Sequence, residues 1–586
     1  MAIGNYALSE IENVFWYLYL RQVMKKSLLI GIILLVGGIE TGKADWWDEY
    51  SQTSQWAEGR EELKKGLLAS LRSKKAAGIN PDEADEDRFR LWQWMGSWSS
   101  LNNADDAEAF RELGKNTELR RIFFENLDPK DNRQAALRIL TRLQKECPDE
   151  VKELPALAVA LALVFDKTFP SRWPHGQTGS ATIPKEDVDV FVRMKEMAEQ
   201  QRKGVFLTNL RDYKVSELKF IIDHPLNRSE LDWARKTIHN NLTNFKGIYS
   251  GIRYDYSRIK PPPHPNWMGV TYTLEQIKSI GGICVDQAYF TAMVGKSKGV
   301  PTLFFTGLGD IAGHAWVGYM DSPGNWKTDC GGGLNQVVGR ALDPQTWEHI
   351  SDSEFDFFSK RNERSIGYRR AQFLTDLAAA FPDEQIDDWA SLALKTKQDY
   401  LPAWRLLGLR MASNIDYGKQ VAFWKEFINR FSKYPEIESE GLGKLIELAG
   451  IKGDVKMEES LRKQLVKRNR GDRFDISIAA SYENLAAKCE SGDWEGAESA
   501  YKRSLVEFKN DMGMPVLSGL IRPFVESAIK NGRPDLAKRA IQDARRSFKT
   551  ALGTPAKGSN QYNMMLMLND HFTTMEELIK TKSAVH

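Results

Sequence analysis

Apolar positions recur at helical spacing through residues 45–165. In "DPKDNRQAALRILTRLQKECPDE", Ala136, Ile139, Leu140 and Leu143 fall on one face behind an Asp-Pro start. "SLRSKKAAG" closes on a glycine stop, and "ELPALAVALALVFDKTF" is apolar on nearly every side, the pattern of a buried helix. Residues 169–184, "FPSRWPHGQTGSATIP", are rich in Pro, Gly and Ser and predict a linker or long loop. Helix resumes in "VDVFVRMKEMAEQQRKG" and again in "NRSELDWARKTIHNNLTNF", which Asn227 or Ser229 would cap. Prolines 261–263 forbid helix before the short "TLEQIKSI". Gly281 and Gly282 then break the chain, and a new helix opens at Cys284 and runs to Gly295 or Gly299. There the period changes: "VPTLFFTGLG", "HAWVGYM" and "WKTDC" read as strands, with "DSPGN" as a turn. From about residue 365 the pattern is helical to the end.

The pattern predicts an α+β chain. Its expected parts are an N-terminal extension with a targeting segment (1–44), a helical region (45–205), a mixed core (206–355) and a helix-hairpin array (356–586). Within the array, Trp404, Leu407, Gly408 and Met411 precede Tyr417 and Trp424. A second copy sets Tyr482, Leu485, Ala486, Cys489 and Gly492 before Trp494, Ala497 and Tyr501. This resembles tetratricopeptide repeats, whose period is about 34 residues. The second copy is one residue short between its helices, and Gln420 stands where a small residue is expected. Cys489 then reads as a small residue in a helix contact.

From Met24 the chain reads "MKKSLLIGIILLVGGIETGKADWW": two lysines, an uncharged apolar run, then Gly42 and Ala44 at the spacing of a cleavage site. This is the layout of a secretory signal peptide over residues 24–44, and the run falls short of the roughly 20 residues a membrane span needs. The expectation is export to the periplasm or beyond as a soluble chain, with membrane anchoring as the alternative.

The 586 residues carry 81 Lys+Arg against 79 Asp+Glu, a balance that gives no basis for nucleic-acid binding. Cys147, Cys284, Cys330 and Cys489 are scattered without metal-ligand spacing, as are the eight histidines, so neither metal nor cofactor is expected. The cluster Trp92, Trp94 and Trp98 reads as helical core ahead of a binding shelf, and His264 as a loop residue at a cleft rim.

Chemistry concentrates around Cys284. A thiol becomes a nucleophile when a helix N-terminus, an imidazole and an orienting carboxylate lower its pKa. Cys284 opens a helix, His314 follows in "GHAWVGY" at the start of a strand, and Asp329 ends the next strand in "WKTD". If Trp316 faces Asp329 across the hairpin, Asp329 becomes the diagonal neighbour of His314, about 7–8 Å away. Cys330 would then face away from His314.

The strings "GGICVDQAYFTAMVGKSKGVPTLFFTG" and "GHAWVGYMDSPGNWKTD" resemble the transglutaminase-like superfamily, relatives of papain-type cysteine peptidases, over roughly 210–355. The resemblance implies Cys284 as nucleophile, His314 as general base and Asp329 as orienting acid. It implies thioester acyl transfer on a peptide or carboxamide, with hydrolysis slightly favoured over cross-linking because no calcium loop is encoded. The backbone N–H of Cys284 would supply half an oxyanion hole, with Gln276 and Trp267 as candidates for the second donor. The alternative is an inert scaffold whose C-terminal helices bind a protein partner.

Overall fold

The computed structural model describes residues 56–583, apart from 99–100, 102, 172, 179–180, 184–186, 260–263, 309–312, 333–337, 362–364, 382–386, 413–415 and 470–472. Residues 24–44, expected as a signal segment, and the prolines 261–263 lie outside the described residues. The chain is α+β and divides into two compact units after Glu125.

The described part of the first unit holds the helices Trp56–Ala76, Glu83–Gly96, Ala104–Gly114 and Thr117–Glu125. Its core forms around Trp94, which stacks on Phe110 at 4.1 Å and meets the edge of Phe124. Trp94 is therefore core, as its spacing implies. Asp85 is fully buried here and bonds Ser70 Oγ at 2.8 Å and Lys74 Nζ at 2.7 Å.

The second unit opens with the helices Arg133–Glu146, Pro148–Glu153 and Pro155–Val164, the last buried along almost its whole length. Its centre is one antiparallel five-stranded sheet in the order β3-β2-β1-β4-β5. The strands are β1 Thr302–Leu308, β2 Gly313–Ser322, β3 Asn325–Cys330, β4 Val338–Leu342 and β5 His349–Ser351. β4 and β5 are not expected from the sequence, because runs of five and three residues are too short to show a period.

The Cys284–Ser297 helix packs on one face of this sheet. Every residue of that helix after Cys284 is buried, the polar Asp286, Gln287, Thr291, Lys296 and Ser297 included, so it is enclosed on all sides rather than along one stripe. Ala315, Val317, Tyr319 and Cys330 meet it from the sheet. On the opposite face Phe305, Trp316 and Leu303 pack with Phe220 and Phe355.

Three expectations are corrected. The helix expected over 227–245 ends at Thr237, Asn227 accepts the Glu230 N–H as its cap, and a separate helix spans Phe245–Ser250. The stretch 169–184 is not a free linker where it is described: Thr182 pairs with Thr271, and His175 Nε2 lies 3.0 Å from the Tyr272 hydroxyl. His264, expected as a loop residue at a cleft rim, is a loop residue but buried.

Beyond the sheet the described residues are helical from Asp352–Ser359 to Asn560–Ser583. Adjacent helices share one continuous core in which Trp404 and Trp424 join Tyr501 and Phe524. At Gly408 an added Cβ would lie 2.6 Å from the Trp424 ring, so this glycine is a close helix contact. Cys489 is buried in the same core.

Candidate functional site

The site is built from the glycine break upward. Gly281 has φ +88°, and a Cβ there would lie 2.4 Å from the Arg253 carbonyl, so only glycine fits. Gly282 N–H donates to that carbonyl at 2.9 Å, and Asp255 N–H donates to the Gly282 carbonyl at 2.9 Å. This short parallel bridge sets Tyr254 beside Gly282.

Asp286 holds the helix start from inside. Its Oδ2 accepts the Ile283 N–H at 2.8 Å, while Oδ1 accepts from the Tyr272 hydroxyl at 2.6 Å and from Arg258 at 2.8 Å. Both partners of the Arg258–Asp286 pair are buried. Burial raises the Asp286 pKa, and Arg258 opposes the rise. Arg258 in turn lies over the Trp267 ring, 5.0 Å from its centroid.

Cys284 is half-buried at the first position of this helix. Burial pushes its thiol pKa up, against the pull of N–H donors from Ala315, Val285 and its own backbone. The Tyr249 hydroxyl ties strand to helix, donating to the Ala315 carbonyl at 2.8 Å and reaching the Cys284 carbonyl at 3.5 Å. The Cys284 N–H lies against the Tyr254 hydroxyl oxygen. Tyr254 leans on the exposed Tyr256 ring, with centroids 4.9 Å apart.

His314 is next in the chain to Ala315, so its backbone adjoins the thiol. Its side chain does not. The ring lies nearly parallel to Trp316, at 5.9 Å and 19°, on the sheet face opposite Ala315. Its Nε2–H donates to the Gly331 carbonyl at 2.8 Å. That carbonyl is presented by a glycine turn: Gly331 has φ +98°, and a Cβ there would meet the Tyr249 ring at 2.5 Å.

The β2–β3 register differs from the expected one. Val317 pairs with Cys330, and the ladder is irregular between Val317 and Tyr319. Asp329 is therefore level with Gly318, not Trp316. Four residues of strand, about 13 Å, separate that level from His314. Asp329 is 53% exposed and bonds Lys246 Nζ at 2.7 Å. Among the described residues no hydrogen bond joins Cys284, His314 and Asp329 to one another. Cys330 faces away from His314 as expected, buried against Val317.

Neither oxyanion candidate has a contact with Cys284 among the described hydrogen bonds. The Gln276 N–H is a helix cap on Thr273 Oγ1 at 3.3 Å. Trp267 is fully buried beneath Arg258, and its Nε1–H has no acceptor. The side chain that does lie at the Cys284 N–H is Tyr254, whose hydroxyl oxygen accepts from it and whose only sequence cue is its aromatic neighbour Tyr256 in "RYDYS".

All four cysteines are unpaired. Among the described residues no group of three or more His, Cys, Asp and Glu side chains is placed to hold a metal ion, and no helix is long and apolar enough to cross a membrane. No family model matches the chain, and neither a curated protein nor a solved structure does.

Proposed function

We propose that this chain is an exported, transglutaminase-like cysteine enzyme that transfers acyl groups from peptides or carboxamides through a Cys284 thioester. The observation that carries the reading is the placing of Cys284: half-buried, first residue of a buried helix directly after the Gly281–Gly282 break, with Ala315 of β2 tied beside it through the Tyr249 hydroxyl. A helix N-terminus favours a thiolate.

In the proposed reaction the thiolate attacks the carbonyl carbon. The tetrahedral oxyanion takes hydrogen bonds from the Cys284 N–H and the Tyr254 hydroxyl, which already adjoin each other. The imidazolium of His314 protonates the departing amine, leaving a thioester. Water then releases an acid, or an amine releases a new amide; hydrolysis is the favoured outcome. The exposed rings of Tyr254 and Tyr256 offer an aromatic wall for the substrate chain. The proposal requires the His314 ring to leave the Gly331 carbonyl and reach the sulfur past the strand start. Asp329 would have to exchange Lys246 for the imidazole, and without that move it has no part in the chemistry.

A second reading has an observation of its own. The His314 side chain and Asp329 are both engaged elsewhere, which favours an inert core with protein binding by the C-terminal helix pairs. Acylation by p-nitrophenyl acetate separates the two. The enzyme reading expects a nitrophenolate burst that is absent in Cys284→Ala; a burst of equal size in that variant refutes it.

A further inference from the structure

The bridge between Tyr254 and Gly282 leaves one backbone edge open beside the thiol. Both hydrogen bonds of the bridge fall on Gly282. Its N–H donates to the Arg253 carbonyl and its carbonyl accepts from the Asp255 N–H, each at 2.9 Å. In a parallel pairing of this kind the residue between the two partners turns its own N–H and carbonyl to the other side. That residue is Tyr254, and neither group makes a hydrogen bond among the described residues.

The backbone on either side of this open pair is fixed. The Ile252 carbonyl accepts from Gln287 Nε2 at 2.9 Å, and the Asp255 carbonyl accepts the Arg258 N–H at 3.1 Å. Gln287 is itself a buried residue of the Cys284–Ser297 helix. The Arg253 side chain is drawn back to the turn, with Nη2 donating to the Ile280 carbonyl at 2.5 Å. Tyr254 is 38% exposed and Tyr256 74%. A donor and an acceptor that are adjacent, exposed and already ordered form a template for one more extended chain. Ordering them before binding reduces the entropy lost when that chain arrives.

The position of the edge determines what fits it. The Tyr254 hydroxyl meets the Cys284 N–H, so a chain paired with the Tyr254 backbone, about 4.8 Å from it, runs beside the thiol. A small carboxamide has no backbone to pair there. We propose that the Tyr254 N–H and carbonyl bind an extended polypeptide segment as an added strand, so that the substrate is a peptide chain held by its backbone and not a small carboxamide. The substrate role rests on the acyl-transfer reading; the pairing itself is measured without the chemistry.

The test uses the full chain carrying Cys284→Ala, with its tyrosines labelled at the amide nitrogen, in proton–nitrogen correlation spectra. The signal lost in Tyr254→Phe assigns the Tyr254 amide. The probes are acetyl-Ala-Ala-Phe-Ala-Ala-amide, its isomers carrying one N-methyl group each, and propionamide. The peptide is expected to move the Tyr254 amide proton downfield and saturably, with Kd about 1 mM or tighter, while propionamide leaves it in place. The isomer that lacks the N–H bound to the Tyr254 carbonyl is expected to bind at least about fivefold more weakly than the parent peptide. An unmoved Tyr254 signal, an equal shift with propionamide, or equal affinity for every isomer would overturn the site. The nitrophenolate burst of the wild type tests the other reading separately. Pairing without a burst keeps the peptide site and removes its substrate role, and a burst without pairing refutes the site alone.

Discussion

Tyr254 is the residue on which the proposed chemistry depends most after Cys284 itself. Its hydroxyl meets the Cys284 N–H, where a tetrahedral oxyanion would form. Removing one such donor costs about 10²-fold in turnover. Tyr254→Phe is therefore expected to slow acylation by p-nitrophenyl acetate by about that factor while leaving the melting temperature unchanged. Elsewhere, His224 gives the fold a pH dependence. Its folded pKa is held well below the ordinary value of about 6.5 by burial and by Arg193, Lys296 and Arg235. Its contribution to stability is thus complete above that value and is lost as the pH falls. Denaturant unfolding at pH 7 and pH 5 should show lower stability at pH 5, with a smaller loss in His224→Gln.

At this scale the sequence was legible where one residue type admits one conformation. Gly281, Gly282 and the helix start at Cys284 follow from backbone sterics alone, and all three stand where they were expected. The neighbours of Asp329 were not legible. Ser322 pairs with Asn325 across a two-residue turn, and two one-residue shifts follow along the ladder, so Asp329 lies two residues from its expected level, and no residue in "NWKTDC" announces it. Tyr254 was hidden for another reason: its pairing with Gly282 spans 28 residues and is a tertiary contact.

At the scale of elements, two junctions hold the site and the array in place. The first is the turn before the Cys284–Ser297 helix. Gly281→Ala would force a left-handed conformation on a residue with a Cβ and push that atom against the Arg253 carbonyl. A loss of more than about 1 kcal/mol is expected from the conformation alone, measurable by denaturant unfolding. The second junction is Arg473, buried with Glu436 and Asp475 as partners, while Glu436 also bonds Ser353 Oγ at 2.5 Å. Through them the helix Asp352–Ser359, which follows β5, is tied to the helices after it. Arg473→Ala removes the shared partner of two half-exposed carboxylates and should cost about 1–2 kcal/mol. Glu436→Gln in the same chain should recover part of that loss. Helices were legible in the sequence because their period persists over many residues. The break at Thr237 was missed because "IHNNLTN" keeps enough apolar residues to continue the pattern.

On the scale of the molecule, the second unit contains more than one apolar core. The cluster around Trp404, Tyr501 and Phe524 is distinct from those on the two sheet faces. Separate cores unfold with partial independence. Scanning calorimetry of the full chain should show a van't Hoff enthalpy below the calorimetric one; equality would mean a single cooperative block. The near balance of 81 basic and 79 acidic residues leaves no strong net charge to steer a charged polymer.

The central claim is that Cys284 is a nucleophile served by His314. In the geometry seen here burial holds the thiol pKa up while the imidazole faces Gly331, so the claim requires the ring to visit the sulfur in solution. Iodoacetamide labelling of the full chain across pH, followed at the Cys284 peptide in wild type and His314→Ala, tests this directly. The expected result is a labelling midpoint below the free-thiol value of about 8.5, lost in the variant. A midpoint above that value and unchanged by His314→Ala would contradict it, leaving Cys284 as a packed thiol in a binding scaffold.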